Sequence, residues 1–203
     1  MNQKTSTALS FLFHPLILPC VIIGILTEID PVLSLLLPVK MKFMMVGMVF
    51  ITTILIPLIL IFLTFRLNLI GSIYMKTREE RILPLLIIAF SYYLTYALLK
   101  RLQLPSIFYM YMLGATATII ILIILNFFRK ISLHMAGMGG FTGLMAGLAF
   151  HYTFNTSWLL VAGILLSGVL GTARLKLNAH LPSDLYIGWL AGAVLMFFTG
   201  FLL

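Results

Sequence analysis

Long apolar runs separated by short polar connections constrain this chain more than any other feature. A helix needs about 20 apolar residues to cross the hydrocarbon core of a bilayer. Seven runs approach that length: Leu9 to Thr27, Met41 to Thr64, Ile82 to Leu99, Pro105 to Phe128, Ala136 to Thr153, Trp158 to Ala173 and Leu185 to Leu203. Apolar and polar residues do not alternate within them, which argues against an outer-membrane barrel. Only 9% of the residues are charged and 62% are hydrophobic, whereas a soluble domain carries roughly a quarter charged residues to cover its surface. A soluble globular fold and a disordered chain are both excluded. The expected fold is all-α: a polytopic membrane helix bundle with six to seven transmembrane helices, in which residues 1–203 form one integral membrane domain.

The breaks between runs follow charge, proline and turn residues. Glu28-Ile29-Asp30-Pro31 ends the first run, Lys100-Arg101 the third and Arg129-Lys130 the fourth. Pro15, Pro57 and Pro84 lie in or at the ends of helices, where a bilayer tolerates them. Gly143 and Gly147 stand four apart, as do Gly188 and Gly192, a spacing that lets membrane helices pack closely. Cys20 is the only cysteine, so an intramolecular disulfide and a thiolate metal cluster are both out of reach. Pro19 precedes it where lipoprotein cleavage sites carry a small residue. The first run also lacks a small-x-small cleavage site, and it reads as a retained helix. No internal repeat stands out.

Strict alternation of seven crossings sorts the connections by face. The N-terminus and the connections Arg66 to Arg81, Arg129 to His134 and Arg174 to Asp184 share one face. Of the 13 Lys and Arg residues, nine fall there, together with His134, His180 and Asp184. Nucleic acid is excluded as the partner of this charge, because no domain stands outside the membrane to bind it. Lys4, Arg66, Lys100 and Arg101 read as topology signals or side chains snorkelling to head groups. His14 and His151 read as structural, since neither shares a connection with the charge cluster.

The segment from Arg174 to Asp184 carries the chemistry. Asp184 follows Pro182 and Ser183 at the expected start of the last helix, where a carboxylate stays ionised. If it accepts the Nδ1 proton of His180, Nε2 is left free as nucleophile or base. Arg174 offers a planar fork for a phosphate, and Lys76, Arg78, Arg81, Arg129 and Lys130 add to a cationic clamp. His134 supplies a second imidazole, followed by Gly137, Gly139 and Gly140, which would let backbone approach a ligand. One imidazole attacking while the other protonates the departing oxygen fits phosphoryl transfer. Asp184, Glu79 and Glu80 are too few for a two-metal site, so no metal and no cofactor are expected.

These residues resemble the type 2 phosphatidic acid phosphatase superfamily, which includes the vanadium haloperoxidases. Its third motif is Ser-Arg, five residues, His, three residues, Asp; Arg174, His180 and Asp184 keep that spacing, with Ala173 in the serine position. Its second motif is Pro-Ser-Gly-His, of which Ile131-Ser132-Leu133-His134 retains Ser and His. Its first is Lys, six residues, Arg-Pro; Lys76 and Pro84 hold that register, Leu83 takes the arginine position, and Arg81 is the first choice to replace it, Arg78 the second. The resemblance covers 76–203. It implies a six-helix core, His180 as the residue phosphorylated in turnover, Asp184 as its orienting partner and His134 as general acid. Lys76, Arg81, Ser132 and Arg174 would hold the phosphate.

The expected activity is a membrane-embedded phosphatase acting on a lipid phosphomonoester or pyrophosphate by a metal-independent phosphohistidine mechanism. Reacting histidines at helix ends near head-group level suit a substrate anchored by its chains. The alternatives are a transporter or lipid-binding protein that holds an anion in the same basic pocket without reacting, and a lipid phosphotransferase. The resemblance implies a bacterial inner (cell) membrane with the active site facing outward. Charge alone does not decide orientation: nine basic residues against four favours a cytoplasmic site, but without Lys76, Arg78, Arg81 and Arg174 the count is five against four.

Overall fold

The computed structural model describes residues 1–71, 77–151 and 153–203, with the side chains of 153–155 left out. Among the described residues every regular element is a helix. The first, α1 (Gln3–Leu12), starts where the Asn2 side chain accepts a hydrogen bond from the Thr5 amide at 2.8 Å. It stops before His14-Pro15, because a proline disfavours helical geometry in the residue that precedes it. The chain resumes as α2 (Leu18–Leu26), so the first expected crossing is in two pieces. A short α3 (Pro31–Leu36) follows, capped by the Asp30 carboxylate on the Val32 amide.

Next come α4 (Val39–Phe50) and α5 (Ile56–Arg66), joined through a π turn at Ile51–Leu55 into one apolar helix of 28 residues. Pro57 accounts for the wide turn: it has no amide proton to give the Thr53 carbonyl, and its ring would crowd that oxygen in a regular helix. The Thr52 and Thr53 hydroxyls turn inward there, Thr52 taking a hydrogen bond from Thr95 at 2.8 Å. The remaining helices are α6 (Glu79–Arg101), α7 (Ser106–Phe128), α8 (Leu133–Leu148), α9 (Thr153–Lys176) and α10 (Pro182–Phe201).

Among the described residues, five helical stretches are long and apolar enough to cross a membrane, which marks an integral membrane protein: 39–66, 79–101, 106–128, 156–176 and 182–201. The two remaining apolar runs do not form such a helix. The first run is broken at His14-Pro15. The fifth run forms α8, whose 16 residues reach roughly 24 Å at 1.5 Å per residue, short of the hydrocarbon core of about 30 Å. Instead of facing lipid, α8 is buried along most of its length.

The glycines explain how α8 is buried. A Cβ on Gly139 would overlap the Trp189 carbonyl, one on Gly143 the Ala193 carbonyl, and one on Gly192 the Ala136 carbonyl. The two backbones therefore touch directly, and the sequence expectation of small-residue packing holds at this interface. Gly137, Gly139 and Gly140 meet Leu18, Trp189 and Met196, so they serve packing. Overfilling a packed core costs about 1–3 kcal/mol. Gly143→Ala is expected to lower the thermal unfolding midpoint in detergent. Gly47→Ala, where a Cβ meets nothing within 4 Å, is expected to leave it unchanged or raise it. Circular dichroism melts of the two variants check this.

Candidate functional site

The α8–α10 contact sets the site, because it brings the two helix N-termini side by side. Ser132 caps α8, its hydroxyl accepting from the Met135 amide at 3.5 Å, and its own amide donates to the Asp184 carbonyl at 3.3 Å. His134 therefore starts α8 next to the turn that carries His180. The C-terminal end of α7 and the start of α6 close on the same place: Arg78 Nη1 donates to the Phe127 and Phe128 carbonyls at 3.2 and 2.9 Å, and the Asn126 amide group donates to the Arg78 carbonyl at 2.8 Å. The connections expected to share a face are thus tied together by hydrogen bonds to backbone carbonyls.

His180 Nδ1 lies 2.9 Å from the Lys130 carbonyl. A carbonyl only accepts, so Nδ1 carries the proton and Nε2 keeps its lone pair. Burial, then the charges of Arg81 and Arg174, push His180 down to about 4. The ring is a neutral base across the physiological range. Arg81 donates through Nη1 to the Ile131 carbonyl at 3.1 Å and sits close enough to Arg174 and Asp184 to feel both charges. Of the two arginines considered for the first motif, Arg81 reaches this cluster, whereas Arg78 satisfies the last carbonyls of α7. Lys76 lies outside the described residues.

Asp184 is placed differently from the expectation. Its Oδ1 is 3.1 Å from Arg129 Nε and its Oδ2 accepts from the Leu181 amide at 3.4 Å. The Arg129 contact is ionic without hydrogen-bond geometry, since Oδ1 is buried with no hydrogen-bond partner. Arg129 also donates to the Ser183 hydroxyl at 2.7 Å. The physical reason is local: a carboxylate at the third position of a helix bonds back to its own cap. The Lys130 carbonyl accepts the hydrogen bond from His180 Nδ1 instead.

The N-terminal helix, which sequence reasoning left out, closes the other side. Ser10 is buried on α1, and its carbonyl accepts from His134 Nε2 at 2.9 Å while its hydroxyl accepts from Arg174 Nη1 at 3.3 Å. His14 packs edge-on against His134, ring centroids 5.4 Å apart. His14 thus lies beside the cluster from which the sequence set it apart, its Nδ1 accepting from the Leu16 amide at 3.3 Å. The signal was present: alternation assigns the N-terminus to this face, and the His-Pro pair predicts a break there. His151 does stand apart, its Nε2 donating to the Phe201 carbonyl at the opposite end.

α1 turns its polar side inward, with Ser6 and Ser10 buried and Phe11 and Leu12 exposed. Arg174 Nε is buried with no hydrogen-bond partner among the described residues, an uncompensated cationic donor of the kind an anion completes. A cavity of about 490 Å³ opens at the surface over Arg78, Arg129, Lys130 and Asp184. His134 and Arg174 lie outside the lining of this cavity, bonded to Ser10. Among the described residues no group of three His, Cys, Asp or Glu side chains is placed to hold a metal ion.

His180 yields a direct test. Its folded-state value of about 4 lies below the ordinary 6.5, so between those pH values the unfolded chain binds a proton that the folded chain refuses. Acidification through that window removes stability, and the contribution is fully present above 6.5. Nuclear magnetic resonance of imidazole-labelled protein in detergent is expected to show one ring, missing in His180→Gln, that titrates near pH 4. A midpoint at 6.5 would mean that neither burial nor Arg81 and Arg174 act on it.

No family model, curated protein or solved structure matches this chain.

Proposed function

We propose that the chain is a membrane-embedded phosphatase that hydrolyses a lipid phosphomonoester or lipid pyrophosphate through a phosphohistidine. The observation that carries the proposal is the neutral His180 ring, its Nδ1 proton held by the Lys130 carbonyl, close to Arg81 and Arg174. His180 Nε2 attacks phosphorus, a bond forms from nitrogen to phosphorus, and the bond from phosphorus to the leaving oxygen breaks. Arg81 and Arg174 stabilise charge on the equatorial oxygens. The negative charge of the bound phosphate favours protonation of His134 on both nitrogens, and this cationic ring gives its Nε2 proton, which otherwise bonds the Ser10 carbonyl, to the leaving oxygen and becomes neutral. Water, deprotonated by the same imidazole, then attacks the phosphohistidine and releases inorganic phosphate.

The resemblance to the type 2 phosphatidic acid phosphatases supports the same assignment for His180, His134 and Arg174. It also favours an active site facing outward from a bacterial inner membrane. In this reading Asp184 acts one step away, through Arg129 and the turn that carries His180, and Ser132 acts by holding the start of α8. Arg78 fixes α7 and Lys76 completes the clamp.

A second reading has an observation of its own. The Asp184 carboxylate is engaged by Arg129, which leaves His180 without an acidic partner and suits a pocket that binds a lipid phosphate without cleaving it. The two readings part on one assay: release of phosphate from a short-chain lipid phosphate by detergent-solubilised protein with a chelator present. The expected result is metal-independent release that His180→Ala abolishes and His134→Ala lowers by about 10²–10⁴-fold. Bound lipid phosphate with no release favours the binding protein, and a labelled phosphohistidine discharged by an alcohol but not by water favours a phosphotransferase.

A further inference from the structure

α9 and α10 are consecutive in sequence, yet each packs along α8 and they leave a cleft between them. That cleft is a cavity of about 560 Å³, walled almost wholly by apolar side chains, with Met135 of α8 at its back. Two glycines keep it open. A Cβ on Gly168 would meet nothing within 4 Å, and one on Gly171 would only brush the Met135 side chain at 3.7 Å. Trp189 crosses it, its Nε1 donating to the Ser167 hydroxyl at 3.0 Å, so the one polar pair inside is satisfied.

The lining on α9 runs from Ile164 to Leu175, roughly 16 Å at 1.5 Å per residue. That is about half of the 30 Å hydrocarbon core, the depth of a single leaflet. At its outer end the lining reaches Leu175 and Pro182, which adjoin Arg174 and the turn bearing His180. The cleft therefore runs from head-group level, where the cationic cluster lies, towards the middle of the bilayer.

An occupant has to be apolar along the cleft and anionic at its outer end. We propose that the α9–α10 cleft holds a hydrocarbon chain of the lipid whose phosphate is presented to His180, entering sideways from the bilayer. The proposal rests on the phosphatase reading and deepens it, because it makes chain length a determinant of substrate choice. The chain lies against Gly168 and Gly171 and beneath Trp189, and the head group turns in over Leu175 to reach Arg174. A second copy of this chain would fill the cleft with apolar side chains but would leave the cationic end unmatched.

Butyl phosphate and dodecyl phosphate, compared below their micellar concentrations with protein held in an amphipathic polymer, test this. Each added methylene buried from water favours binding by up to about fourfold, so kcat/KM for the longer substrate is expected to exceed that for the shorter at least tenfold. Gly168→Leu and Gly171→Leu fill the cleft and are expected to bring that ratio close to one, chiefly through KM. A variant that folds, turns over both substrates and keeps the wild-type ratio overturns the cleft while leaving the phosphatase reading in place. Phosphate release from neither substrate by the wild type overturns the phosphatase reading instead. Occupancy is read separately with dodecyl phosphate bearing a diazirine at the chain end: labelling of α9 and α10 peptides, competed by dodecyl phosphate, is the expected result. Label elsewhere, or dimers cross-linked through a cysteine placed at Gly168, overturns the proposal.

Discussion

The direct backbone contact between α8 and α10 is the constraint on which the rest depends. Gly139 and Gly143 of α8 and Gly192 of α10 have no room for a Cβ against the facing carbonyls. Between helices in a bilayer the hydrophobic effect gives little help, since lipid tails are as apolar as side chains, and close packing must supply the cohesion. Packing this tight also fixes register. It sets Ser132 beside Asp184, and with them His134 beside the turn that carries His180. α8 is too short to cross by itself, and α9 and α10 both take their position from it.

That register brings Arg81, Arg174, His134 and His180 together behind a wall of apolar helices. Such a cluster is costly where water is scarce. Part of the cost is offset by carbonyls: Ile131 accepts from Arg81, Lys130 from His180 and Ser10 from His134. Part is not, because Arg174 Nε has no hydrogen-bond partner among the described residues. A neutral ligand would leave that imbalance in place, whereas a phosphate, with several acceptor oxygens and negative charge, would answer it. The Ser10 carbonyl and hydroxyl bring two oxygens to the same spot, a partial stand-in that carries no net charge.

Much of this was legible in the sequence, and particular residues show why the rest was not. The apolar runs gave the long helices to within a few residues, because length and charge punctuation are local signals. Arg174, His180 and Asp184 could be singled out because scarce residue types meet at one connection. The partner of Asp184 could not be read, since the competition between His180 and Arg129 is settled by three-dimensional packing at the start of α10. His14 was misplaced because the first run was taken as unbroken, although Pro15 already argued otherwise. The cleft had no sequence signal: Ser167 and Gly171, like Gly168 and Thr172, are small residues four apart, as on a packing surface, and only the position of α10 shows that Gly168 and Gly171 face a cleft.

The different partners of His180 and Asp184 have a chemical consequence. A carboxylate on Nδ1 would both fix the tautomer and stabilise the cationic ring that forms when Nε2 attacks phosphorus. A carbonyl does the first and only weakly the second. In this site the growing positive charge on His180 would instead be balanced by the phosphoryl group bonded to it, while Arg81 and Arg174 disperse the negative charge on that group's oxygens. Asp184, held by Arg129 and by its own helix cap, keeps the turn in place, and its charge acts on Arg81. Under the phosphatase proposal, loss of the Arg129 contact would free this carboxylate to turn towards His180, where it would do what the Lys130 carbonyl does only weakly.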